Sequence, residues 1–128
     1  MSAQARRTVA SFDALVDTLT HARREIDELV VRVSDARDTV ASGVVLSEFV
    51  AAEERPLIIS RMTELIDLMS DAAAEVRRAE AHQLRAEGLS HESIAQLFGV
   101  TRQRAAALLT VPTPTQSRNG KRPRRRDG

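Results

Sequence analysis

From Ser11 onward, apolar residues recur every seven positions. Phe12, Leu19, Ile26, Val33 and Val40 share one heptad position, and Leu15, Ala22, Leu29 and Ala36 fall three residues later. Alternating steps of three and four over this length suit an α-helix that lays a narrow apolar seam against another helix. Val16 and Val30 widen the seam towards a bundle face. Ser11 is a candidate N-cap, with Asp13 in the first turn where the helix dipole favours an acid, and Ser42-Gly43 is a stop.

A second seam starts at Pro56, a residue favoured in a first helical turn. Ile58, Met62, Leu65, Met69, Ala72, Val76, Ala79 and Gln83 follow in steps of three and four, flanked by Ile59, Ile66 and Ala73. This helix is expected to run to about Glu87 and end at Gly88. Each long helix has about 30 residues and a length of ~45 Å at ~1.5 Å per residue. Equal lengths predict an antiparallel hairpin, and the small residues Ala22, Ala36, Ala72 and Ala79 allow close approach. A lone two-helix hairpin buries little surface, so residues 12–79 are expected to form a homodimer as a four-helix bundle, with an elongated monomer as the alternative. Between the seams, Val44, Val45, Leu46, Phe49 and Val50 suit one face of a short helix, and Val-Val-Leu suits a strand as well. The surrounding Ala and Glu favour the helix.

Beyond Gly88 the pattern shortens. Ser90 can cap a helix carrying Ile94, Ala95, Leu97 and Phe98 near one face. Gly99 suits the positive φ of a tight turn, and Val100 can plug the corner. Thr101 can cap a further helix that places Ala105, Leu108 and Leu109 inward. The run Ile94-Ala95-x-x-Phe98-Gly99-Val100-Thr101-Arg102 resembles the bacterial helix-turn-helix class. It is similar to the DNA-binding ends of serine recombinases and to homeodomain-like small transcriptional regulators. The resemblance covers residues 80–110 and implies a three-helix unit that binds double-stranded DNA, its last helix entering the major groove.

The residues carry the same chemistry by themselves. Arg102, Gln103 and Arg104 open the last helix, where side chains reach base edges; Arg pairs with guanine and Gln with adenine. Ala106 and Ala107 are small enough to let the helix sink and touch thymine methyls. Ser90, His91 and Thr101 stand at helix starts, where phosphates bind. The competing reading is a plain helical hairpin with a solvated first turn.

Charge is divided along the chain although the net is only +1. Residues 12–80 sum to −7 and residues 111–128 to +5. Pro112 and Pro114 forbid a continuing helix, and the Pro/Arg-rich tail has no apolar content to bury, so 111–128 are expected to be disordered. Arg118, Lys121, Arg122, Arg124, Arg125 and Arg126 are candidate phosphate contacts or a minor-groove arm.

Other chemistries find little support. There is no Cys, and His21, His82 and His91 lack metal-ligand spacing, so neither a metal nor another cofactor is expected. No Gly-rich phosphate loop or nucleophile arrangement is present, and no small-molecule ligand can be inferred. No apolar run approaches the ~20 residues of a membrane span.

The sequence therefore predicts an all-α chain: a flexible N-terminus over 1–10, a coiled-coil-like antiparallel stalk over 11–79, a helix-turn-helix head over 80–110 and a basic tail over 111–128. The expected function is that of a non-enzymatic, sequence-specific DNA-binding regulator in the cytoplasm, on the bacterial nucleoid. The rival functions are an architectural DNA binder with little sequence preference and a coiled-coil protein-interaction module.

Overall fold

The computed structural model describes residues 1–55 and 57–110. It contains five helices and, among these residues, no strand: α1 (Ala3–Ala41), α2 (Leu46–Ala52), α3 (Ile58–Ala86), α4 (His91–Phe98) and α5 (Arg102–Thr110). None is long and apolar enough to cross a membrane.

α1 starts well before Ser11. Ser2 is its N-cap, its Oγ accepting from the Ala5 N–H at 3.0 Å, while the Ser11 hydroxyl donates back to the Thr8 carbonyl at 2.7 Å inside the helix. The segment over 1–10 is therefore largely the first turns of α1. Nothing between Ser2 and Ser11 breaks a helix, and these turns are anchored to α3: Gln4 Nε2 donates to the Ala79 carbonyl at 3.3 Å, and Thr8 is buried beside it. At the other end, the Ser42 and Gly43 N–H groups donate to carbonyls of the last turn, so α1 stops where the sequence predicts.

The connector resolves in favour of helix, as α2. α3 then begins at Ile58 with Leu57 in the cap position; Pro56 lies outside the described residues. Leu57 offers no side-chain acceptor, and the Glu53 carboxylate takes the Ile58 N–H instead, at 2.6 Å.

α1 and α3 lie side by side in opposite directions. Gln4 reaches Ala79, Glu25 reaches Arg61, and Arg32 donates to the Glu54 carbonyl. Ala22, Leu29, Ile58 and Leu65 form the buried contact, with Ala36 and Met69 packed against it. The small side chains at Ala22 and Ala36 let the axes approach.

The seam is narrower than the sequence predicts. Leu15, Ala22, Leu29 and Ala36 do turn towards α3, but Phe12, Leu19, Ile26, Val33 and Val40 stay 42–50% exposed. Met62, expected in the second seam, is also exposed, as are its flanking residues Ile59 and Ile66. The reason is geometric. A two-helix contact covers one arc of each helix, and here that arc is centred between the Ala22 row and the row Ser11, Thr18, Glu25, Arg32, which is half-buried.

That polar row forms ion pairs with α3 through Glu25 and with the α2–α3 connection through Arg32. Arg61 Nε donates to Glu25 Oε2 at 2.7 Å and Nη1 to Glu64 Oε2 at 2.9 Å, and Arg32 lies 3.7 Å from Glu53. The hydrogen bond from Arg61 holds the Glu25 carboxyl below its ordinary range against partial desolvation, and the charges of Arg61 and His21 add to it. Glu25 is thus easier to ionise in the native state than in the unfolded chain. The pair's contribution is complete above the ordinary glutamate range and is lost as pH falls through the lowered value. Glu25→Gln is expected to have a lower Tm than the parent near neutral pH and to converge with it in strong acid. Parallel Tm curves across that range would show that the pair contributes nothing.

Candidate nucleic-acid interface

The second buried cluster joins the end of α3 to α4 and α5. α3 ends in a left-handed Gly88, φ +99°, which any side chain would strain. The Gly88 N–H donates to the Arg85 carbonyl at 3.0 Å and the Leu89 N–H to Leu84 at 3.1 Å, so the last carbonyls are capped in a Schellman arrangement. α4 repeats the device: Gly99 has φ +66°, its N–H donates to Gln96 at 3.3 Å, and the Val100 N–H donates to Ala95 at 3.0 Å. In both turns the residue after the glycine, Leu89 or Val100, is carried back onto the cluster.

Both starts are capped as the sequence predicts. Ser90 Oγ accepts from the Ser93 N–H at 3.1 Å, and Thr101 Oγ1 accepts from the Arg104 N–H at 3.2 Å. Between these fixed ends, Ala81, Ile94, Ala95 and Ala105 interlock. Three of the four are alanines, so the helices meet nearly backbone to backbone, with Leu84, Phe98, Leu108 and Leu109 closing the edges. Leu97, predicted to face inward with Ile94 and Phe98, is 65% exposed. α4 has only two turns, and Ile94, Ala95 and Phe98 already occupy the arc its neighbours can cover.

The cluster leaves one polar surface at the start of α5. Arg102, Gln103 and Arg104 are all exposed in its first turn. That turn contains no acidic residue, whereas the first turn of α4 contains Glu92. The positive end of the helix dipole is thus reinforced by two guanidinium groups at α5 and opposed by a carboxylate at α4. Ala106 is half-buried and Ala107 beside it is exposed, so Ala107 presents the more open small side chain. His91 is half-buried at the start of α4; Ser90 is exposed, but its hydroxyl proton is directed to Ser93 Oγ at 3.0 Å. Arg118, Lys121, Arg122, Arg124, Arg125 and Arg126 lie outside the described residues.

Two supporting contacts escape sequence reasoning. Arg77 stacks 4.2 Å above the Phe98 ring, a cation–π contact between α3 and α4, and Arg85 Nη1 donates to the Leu89 carbonyl at 2.9 Å. Arg77 precedes the unit that the motif delimits, and only folding brings it over Phe98. Away from this surface, a cleft is lined by Glu25, Glu28, Arg32, Glu54, Arg55 and Arg61. There Glu25 faces Arg61 and Arg32 faces the α2–α3 connection, so the cleft is bordered by ion-paired groups.

Comparison with known proteins returns no match: no family model, no curated protein and no solved structure is significantly similar to this chain.

Proposed function

We propose that α4 and α5 act as a helix-turn-helix that binds double-stranded DNA, with α5 as the recognition helix of a small, non-enzymatic transcriptional regulator. The observation that carries this reading is the exposed Arg102-Gln103-Arg104 turn at the acid-free start of α5, held on a cluster capped at both neighbouring turns. Arg102, Gln103 and Arg104 read base edges, with Ala106 and Ala107 lying along the groove. Thr101, whose hydroxyl accepts at the cap and keeps its proton to donate, contacts a phosphate. His91 approaches the backbone from the start of α4, and Ser90 joins it when its hydroxyl turns from Ser93 Oγ to a phosphate oxygen. The basic residues Arg118 to Arg126 add salt-sensitive phosphate contacts. The α1–α3 pair serves as an antiparallel hairpin stalk through which two copies associate; the net −7 of residues 12–80 turns it away from DNA.

Selection of bound sequences from a random duplex library tests this directly. The parent protein is expected to enrich one motif, and Arg102→Ala and Gln103→Ala each to lose about 1–3 kcal/mol of discrimination at single positions within it. Enrichment of no sequence would favour an architectural binder. Retention of the parental motif by both variants would reject α5 as the reading helix.

A further inference from the structure

The two sides of the α1–α3 pair differ in chemistry. One side carries Ser11, Thr18, Glu25 and Arg32 of α1 beside Arg61 and Glu75 of α3, with Leu68 the one exposed large apolar residue in that α3 row, and the Glu25–Arg61 bond fixes these rows on the same side. Heptad geometry then places the rows beyond the seam together on the other side. These are the Phe12-to-Val40 row with Val9, Val16 and Val30 on α1, and Ile59, Met62 and Ile66 on α3, all 42–67% exposed. They present roughly 900 Å² of apolar surface per copy, well above the few hundred Å² tolerated on a monomer and close to the ~800 Å² that each partner gives a stable interface.

The charges along this face say what covers it. Arg23 and Arg37 continue the Val9-Val16-Val30 row, and Asp13 and Asp27 border it. The residue numbers of Asp13 and Arg37 have the same mean as those of Arg23 and Asp27. If a second α1 is laid antiparallel across the first with a two-fold axis near residue 25, both pairs meet, and so do Phe12 with Val40, Leu19 with Val33, and Ile26 with itself. In the single chain Arg37 lies against its sequence neighbour Asp38, where both are largely exposed to water. The α3 residues agree independently: Arg61 stands level with Glu25, so the axis passes near Met62, with Ile59 and Ile66 on either side of it.

We infer that this face is closed by a second copy of the chain, antiparallel and symmetric about the level of Glu25 and Arg61. The two α4–α5 units then stand at opposite ends of a rod. Each α3 meets the first turns of its α1 about 20 residues from the axis, which puts the units on the order of 70 Å apart, or about two DNA turns. The interface is independent of the DNA reading; only this spacing rests on it.

Single cysteines in a chain that has none make the register testable by oxidative cross-linking without DNA. Ile26→Cys is expected to cross-link to itself. Phe12→Cys and Val40→Cys are expected to cross-link only when mixed, to the mass of two chains. Light scattering of the parent should give twice the chain mass, and Ile26→Glu should reduce it to one chain while keeping most of the helix signal. A monomeric parent at about 100 µM, or self-cross-linking of Phe12→Cys with none for Ile26→Cys, would overturn the proposal. The cross-links require no DNA, so their failure and a failure of the α5 reading are separately visible. A selected motif with half-sites one turn apart would contradict the spacing alone.

Discussion

Ile94→Ala is expected to cost about 2–5 kcal/mol and to abolish DNA capture while most of the helix signal survives. Ile94 is the largest side chain fully enclosed by Ala81, Ala95 and Ala105. Its buried neighbours are alanines with no length to fill the cavity, so any collapse is left to the edge residues Leu84, Phe98, Leu108 and Leu109. Because α1 and the first two-thirds of α3 do not touch this cluster, circular dichroism should lose little more than the contribution of α4 and α5. Leu97→Ala, three residues away, is the control. Leu97 is 65% exposed, and its truncation should stay within about 0.5 kcal/mol of the parent. Equal effects at the two positions, measured by thermal melts and by capture of the selected duplex, would show that α4 packs on a different face.

The second large effect is at Leu65. It is 2% exposed and stands with Ala22, Leu29 and Ile58 as the main buried contact between α1 and α3. Leu65→Ala should cost about 2–5 kcal/mol, a large part of the ~5–15 kcal/mol that holds a protein of this kind folded. The chain has neither Trp nor Tyr, so the melt is best followed by the helix signal at 222 nm. A loss of Tm together with a lower mass in solution would mean that the pair and its association melt together. An unchanged melt would show that the α1–α3 contact lies elsewhere.

What could be read from the sequence was local. Ser42-Gly43, Gly88 and Gly99 end helices, and Ser90 and Thr101 start them, because each of these signals is satisfied by bonds to residues at most five positions away. The inward placement of Ile94, Ala95 and Ala105 was readable for a related reason, since small residues beside a glycine turn leave few ways to pack two short helices, whereas Ala81 of α3 joined them only in the fold. Ser11 was the cap read from the sequence, and Ser2 is the cap that α1 uses. The choice between them was made by Gln4 and Thr8 meeting Ala79, more than 70 positions away in sequence. The exposure of Leu97 and the stacking of Arg77 on Phe98 likewise depend on neighbours that no spacing specifies.

The heptad rows mark the division most clearly. Periodicity alone determined that α1 and α3 are long helices and that each carries an apolar arc, since a seven-residue repeat is a property of one chain segment. Which half of that arc meets the other helix was decided only in three dimensions. There the ion pair between Arg61 and Glu25 and the close approach at Ala22 and Ala36 turn the Ala22 row inward and leave the Phe12 row facing out. A repeat specifies which side chains share a face; the partner that covers the face is set by the geometry and charge of whatever folds against it.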